Sequence, residues 1–340
     1  MPPPSRPRKR AAGAKGKITG GLPTKAKKLN RGDAAPDFRL LGIDGRTYTL
    51  ADFPAKTAPV LMVVFLANHC PFSHAPETRL IPLVREFAGQ GLAVVALNPN
   101  SPDSVRIDEL GYSKYNDSYE EMKLDAQEAG FAFPSLYDGD TQVTAKASGC
   151  LAPPQVFLFD RERKLRSVGR VADSRFEELA PVKSHDTRNA VVELLAGRPV
   201  TVAQTTVMGC STKWNPKRDD VGKADEQWKT EPVDLLLVDA AGVAALARNA
   251  SNRLRLVNGW ATWGASCVAK FSALVSLSRR LSNRDFELVT ISLDDPKTKA
   301  QAQAFLAKQP AVPSARRKRA LAAEGRETVN FISTAASSDA

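Results

Sequence analysis

Apolar positions in this chain come in two textures. Unbroken runs at Pro59 to Leu66 and Leu92 to Leu97 read as buried strands, because a half-buried strand would alternate, and Gln155 to Phe159 reads as a further strand. Between them, apolar residues recur at three- and four-residue spacing. Leu80, Ile81, Leu83, Val84 and Phe87 predict a helix over Ala75 to Ala88, which Pro82 would kink. Ser118 and Glu121 stand at capping-box spacing for a helix to Ala129. Shorter helices are expected at Thr141 to Ala147 and Thr187 to Leu195, the latter closed by Gly197-Arg198-Pro199. Alternation at Asp37 to Leu50 predicts a hairpin turning at Asp44-Gly45, and Gln155 to Phe159 pairs back through Asp160 to Lys164 onto Leu165 to Val171. The result is a mixed sheet wrapped by helices, with an antiparallel pair at its end.

A polar linker from Asn215 to Glu231 interrupts the pattern, which then restarts. Strands are expected at Val233 to Val238, Leu254 to Asn258 and Phe286 to Leu293, alternating with helices at Ala241 to Arg248, Cys267 to Leu281 and Lys297 to Lys308. Beyond Pro313 the chain turns basic, then small and polar, so the second unit is expected to lack a closing strand pair and final helix. Its sheet would keep an unpaired edge. The expected divisions are an arm at 1–32, a domain at 33–214, a linker at 215–232 and a partial domain at 233–340.

Length supports two cores, 340 residues being enough for each unit to bury its own. The net charge of +11 is concentrated: residues 1–32 carry ten Lys or Arg and no acid. That segment reads as a disordered basic arm, solubilising in the simpler view and able to touch anionic surfaces in the other. It has no apolar core of a secretory signal, so export is not supported and the compartment is left open, cytoplasmic as the sequence stands; no apolar run is long enough to span a bilayer. Four cysteines in so long a chain are individual thiols rather than a disulfide framework.

Two of those thiols sit at strand-to-helix turns. Cys70 follows the run Val63-Val64-Phe65-Leu66 and precedes a helix, whose free N–H groups and dipole favour the thiolate. Pro71 suits the first turn, where a missing N–H costs nothing. His69 and His74 flank the sulfur and can bias its charge; one Cys and two His are a thin metal set, and no metal or cofactor is expected. Pro154 opens the Gln155 strand. A cis proline there would present backbone to a substrate chain, although a Pro–Pro pair taken alone marks only a turn.

These residues carry a resemblance. Gly32-Asp33-Ala34-Ala35-Pro36-Asp37-Phe38, Asn68-His69-Cys70-Pro71-Phe72, Phe131 to Asp138 and Gly209-Cys210-Ser211-Thr212-Lys213-Trp214 together resemble the redoxin (alkyl hydroperoxide reductase and thiol-specific antioxidant-like) branch of the thioredoxin superfamily. The resemblance implies tandem thioredoxin-like folds, thiol-based redox and antioxidant activity, a nucleophile at Cys70, a cis proline at Pro154, and protein or small-molecule thiols and disulfides as partners. It also exposes two departures. Ala67 stands where peroxiredoxins place a Thr or Ser, which argues against peroxide reduction. Ser73 stands where a thioredoxin places its resolving cysteine. What remains is a monothiol turn, with Ser73 offering a hydrogen bond to the sulfur and with Cys150 or Cys210 as candidate resolving thiols.

The second unit is similar to ResA- and TlpA-like thiol–disulfide oxidoreductases through Trp260-Ala261-Thr262-Trp263 and Phe286 to Leu293. There the attacking cysteine belongs at Gly264, and Cys267 matches the trailing one. The resemblance therefore implies a catalytically inactive second unit. A protein that kept the fold as a non-catalytic binding scaffold is the competing expectation for the whole chain.

Overall fold

The computed structural model describes residues 22–23, 26–174, 181–230, 233–251, 253–309 and 330–334. Strands β1 (Arg39–Gly42) and β2 (Thr47–Thr49) form the expected hairpin, with Gly45 at φ +81° in its turn. Then come β3 (Val60–Phe65), α1 (Pro71–Phe87), β4 (Leu92–Asn98), α2 (Tyr119–Ala129), β5 (Ser135–Tyr137) and α3 (Val143–Ser148). The pair β6 (Gln155–Phe159) and β7 (Leu165–Gly169) follows, and α4 (Asp186–Leu195) comes after it. They make one seven-stranded mixed sheet in the order β2-β1-β5-β4-β3-β6-β7. Every residue of β3 and β6 is buried, as the unbroken run of β3 requires.

Two cores flank this sheet. Phe65, Leu97, Leu136, Phe157 and Trp214 lie on one face; Met62, Val64, Leu80, Phe87, Leu158 and Val191 lie on the other. Helix α1 starts at Pro71, four residues earlier than its apolar spacing suggests, because proline is tolerated in the first turn. It also runs unbroken past Pro82. Half of the capping box expected for α2 forms: the Ser118 hydroxyl accepts from the Glu121 N–H, but the Glu121 carboxylate accepts from that hydroxyl rather than from the Ser118 N–H, and Gly130 ends the helix at φ +70°.

The first domain begins before residue 33. Leu29 is buried in its core, Lys27 N–H donates to Lys146 O, and Gly32 N–H donates to Leu165 O. The expected arm is therefore shortened to what precedes these contacts, most of which lies outside the described residues. The linker holds a helix, α5 (Arg218–Lys229), whose Trp228 is buried beneath the Arg279 guanidinium at 4.6 Å. Its polar composition hides that helix from a sequence reading, since only one aromatic anchors it.

The remaining elements are β8 (Leu236–Val238), α6 (Ala240–Arg248), β9 (Leu254–Trp260), α7 (Ala265–Arg280), β10 (Phe286–Ser292), α8 (Lys299–Lys308) and β11 (Asn330–Ser333). All four strands run parallel in the order β8-β11-β10-β9. Strand β11 is an addition to the expected pattern, inserted between β8 and β10. Among the described residues the edges of this sheet are β8, where Leu236 and Leu237 are exposed, and β9, where Leu254 and Val257 are exposed. The core of this unit gathers Trp260, Phe271, Leu288, Leu306 and Ile332.

Candidate redox site

Strand β3 ends at the centre of the first sheet and delivers residues 67–70 to the mouth of α1, with Cys70 as its N-cap. The Cys70 side chain is fully buried. Facing it is the Pro153–Pro154 bond, which is cis, with Cys70 Sγ 3.7 Å from Pro153 O. Ser73 is also fully buried, but its hydroxyl accepts from the Ala67 N–H at 3.1 Å rather than turning to the sulfur. It ties off the strand end. Cys150 is buried against the Thr212 hydroxyl at 3.5 Å, and burial pushes its thiol up to about 12.

Cys210 is the cysteine brought to Cys70. The two thiols are free and their sulfurs lie 2.6 Å apart, although 140 residues separate them in the chain. The segment around Cys210 lies along the turn that precedes β6: Cys210 N–H donates to Pro153 O at 3.0 Å and Thr212 N–H to Leu151 O at 3.1 Å. Beyond it, Lys213 is buried, its N–H on Asn100 Oδ1, its carbonyl on Ser101 N–H and Gln142 Nε2, and its ammonium paired with Glu109. Gly209 is required by the close approach, because a Cβ there would stand 1.8 Å from Pro153 O.

A buried ion pair sits behind the nucleophile. His69 Nδ1 bonds Asp117 Oδ2, and Asp117 also accepts from Asn68 N–H at 2.7 Å, Asn98 Nδ2 at 2.9 Å and Asn100 Nδ2 at 3.2 Å. Burial raises the Asp117 carboxyl, but the His69 charge and these donors outweigh it and hold it below its ordinary range. Burial likewise disfavours the His69 cation, yet Asp117 lifts its pKa above the usual value. His69 Nε2 is buried without a partner, a cost tolerated next to the nucleophile. For Cys70 itself burial works against ionisation. The Cys210 thiol, the His69 charge and the amides of Cys210 and Phe72 together win, and the thiol is lowered. Cys210 moves the opposite way, raised first by its bond to Cys70 and then by burial. The two sulfurs thus shift in opposite directions, Cys70 toward the thiolate and Cys210 toward the thiol.

Asp117 and Lys213 carry weak sequence signals. Asp117 sits in a polar, turn-rich stretch where an acid is ordinary, and Lys213 lies inside a motif whose cysteine draws the attention. The expected effect of Asp117→Asn follows from the sign of each step. Losing the anion lowers the His69 pKa, which removes positive charge beside Cys70 and raises the thiol. Alkylation of Cys70 at a pH below both midpoints should fall roughly tenfold for every pH unit by which the Cys70 midpoint rises. An unchanged pH profile would separate the ion pair from the nucleophile.

Comparison with known proteins places the first domain in a family. The AhpC/TSA family profile matches residues 31–168. Residues 31–168 are a redoxin domain of the thioredoxin superfamily. The chain is 27% identical over 141 residues to the thiol-disulfide oxidoreductase ResA of Geobacillus thermodenitrificans, covering 40% of this chain and 67% of that protein. A solved structure of a hypothetical protein from Sinorhizobium meliloti 1021 is 35% identical and matches 57% of this chain and 99% of its own, with a TM-score of 0.49. An uncharacterized conserved protein from Geobacillus kaustophilus is 34% identical over 58% of this chain and 98% of its own, with a TM-score of 0.49. No helix among the described residues is long and apolar enough to cross a membrane. No cluster of three or more His, Cys, Asp or Glu side chains among them is placed to hold a metal ion.

The second turn has the same backbone arrangement as the first, where Cys70 is the N-cap and Ser73 N–H donates to Cys70 O at 2.9 Å, but other side chains. Gly264 caps α7 and Cys267 lies inside its first turn, its N–H on Gly264 O at 2.9 Å. A Cβ at Gly264 would stand 3.5 Å from Cys267 Cβ, within the ~3.5–4.5 Å spacing of a disulfide. Gly264 has φ −85°, which any residue adopts, so Gly264→Cys is expected to fold and to form a disulfide with Cys267 on oxidation. Peptide mapping without reductant checks this; a Cys267 that stays open to alkylation after oxidation would count against the geometry.

Proposed function

We propose that the redoxin domain is a thiol–disulfide oxidoreductase in which Cys70 attacks and Cys210 resolves. The observation that carries the reading is the 2.6 Å approach of the two sulfurs across the cis proline. The sequence favours a monothiol with an external or internal helper; the placement of Cys210 favours the internal one. The Cys70 thiolate attacks a substrate disulfide, forming a mixed disulfide and releasing one substrate thiolate. Cys210, deprotonated as it attacks, then displaces the second substrate thiolate and leaves a Cys70–Cys210 disulfide. Two electrons pass to the substrate, and an external thiol returns them in the reverse order. The low pKa of Cys70 suits the attacking role, and the raised pKa of Cys210 keeps it protonated until the mixed disulfide exists.

The second unit is proposed to be an inactive relative of the thioredoxin fold, on the strength of the glycine at the attacking position. The experiment for the redox reading is a peptide map of the protein oxidised by a small disulfide. A Cys70–Cys210 linkage is expected, with Cys150 and Cys267 still free. Oxidation that leaves a stable mixed disulfide on Cys70 would return the reading to a monothiol.

A further inference from the structure

The segment that supplies Asp117 and Glu109 to the redox site is tied to its own domain near Asp117, where Lys114 and Tyr115 bond Glu128 and Asn116 bonds Pro102 O. It runs through a 3-10 turn at 107–112 and then irregular backbone to Asp117, so its carbonyls need partners from elsewhere. Several of those partners come from the end of α7 in the second unit. Arg280 Nε donates to Leu110 O at 3.1 Å, and its Nη2 donates to Ser113 O at 2.7 Å and Lys114 O at 3.0 Å. Asn283 Nδ2 donates to Asp108 O at 2.9 Å, while the Tyr112 hydroxyl donates back to Asn283 O at 2.9 Å. The Arg284 guanidinium covers the Tyr112 ring at 4.6 Å. Gly111 lets the backbones meet: a Cβ there would stand 2.4 Å from Arg280 O.

We propose that Arg280 and Asn283 are positioning residues for the redox centre, acting through residues 108–114 to hold Glu109 on Lys213 and Asp117 on His69. A planar guanidinium that satisfies three carbonyls of one loop fixes its path more firmly than any single contact. Both ends of the fixed segment matter. Glu109 anchors Lys213, three residues after Cys210, and Asp117 orients the imidazole next to Cys70. The second unit thus adds donors to the carbonyls of residues 108, 110, 113 and 114. The groups that bear on the Cys70 charge are His69 beside it, Asp117 behind that ring, Cys210 on the facing segment, and Lys213 with Glu109 flanking Cys210.

The inference rests on Cys70 as the nucleophile, but its readout is the titration of that thiol rather than turnover. In the full-length double variant Arg280→Ala/Asn283→Ala, amides of residues 107–117 should exchange faster with solvent. Cys70 alkylation at a pH below its midpoint should fall on the order of fivefold, with the high-pH plateau unchanged. Arg280→Lys, which keeps the charge but loses the fork, should fall between. Tyr112→Phe removes one hydroxyl and keeps the fold, and should shift the profile slightly in the same direction. A folded double variant with an unchanged Cys70 midpoint and unchanged exchange would overturn the positioning role. A wild-type midpoint near that of free cysteine would instead remove the redox reading on which it rests.

Discussion

Cys70→Ser is expected to reduce disulfide turnover to the rate of the thiol-free background, while Cys210→Ser leaves the first half-reaction intact and stalls the second. The split follows from the order of the chemistry. On the proposed mechanism Cys70, whose pKa is lowered at the mouth of α1, is the attacking sulfur, so without it no mixed disulfide should form. With serine at 210, attack still occurs, and the adduct waits for an external thiol. Mass spectrometry after one equivalent of a small disulfide should therefore find an adduct on Cys70 in Cys210→Ser and no adduct there in Cys70→Ser. Cys150→Ser should behave like the wild type, because that thiol is kept neutral by burial at about 12. Release of both substrate thiols by Cys210→Ser in a single turnover without added thiol, or loss of that release in Cys150→Ser, would reassign the resolving role.

The second large effect is expected from Gly209→Ala. The atoms that a Cβ would meet are backbone: Pro153 O at 1.8 Å, Pro153 C at 2.5 Å and Pro154 N at 2.9 Å. Nothing soft can yield, so the segment must move away from the proline turn. That breaks the Cys210 N–H bond to Pro153 O and separates the sulfurs. A displacement of about 1 Å in a reacting pair costs on the order of 10²-fold, and formation of the Cys70–Cys210 disulfide should slow by about that factor. Alkylation of Cys70 should change in the other direction. Its sulfur is fully buried beneath this segment, so lifting the segment admits the reagent. Opposite changes in the two rates are the signature. If both rates fall together, the substitution has damaged the turn and the segment is no cover.

This docked segment also sharpens what the cis proline does. From the sequence, the backbone before Pro154 is expected to be free for a substrate chain. In the structure Pro153 O already accepts from Cys210 N–H, and Leu151 O accepts from Thr212 N–H. A shallow groove lined by Phe72, Pro154, Arg170, Val171 and Met208 adjoins the turn.

Much of the fold is legible in the sequence because its signals are local. The β3 and β4 runs, the Ser118 N-cap of α2 and the Asp44-Gly45 turn each depend on neighbours within a few residues, and each is present. The start of α1 escapes the apolar spacing, because Pro71 opens the helix in a turn that carries no core residue. Strand β11 escapes for another reason. Four residues, Asn330 to Ser333, are too short to show a pattern, and they become a strand only because β8 and β10 leave a place between them.

The sequence by itself determined that Cys70 stands at a strand-to-helix turn, that Pro154 opens the strand beside it, and that the matching positions of the second unit hold Gly264 and Cys267. Those are statements about adjacent residues, and covalent neighbourhood enforces them. Tertiary structure alone decided which distant groups complete the site. Cys210 reaches Cys70 across 140 residues, Asp117 reaches His69 across 48, and Arg280 reaches Leu110 across 170. Closing such loops costs entropy that sequence spacing does not reveal. It is offset only when the sheets, the two cores and the buried hydrogen bonds form together.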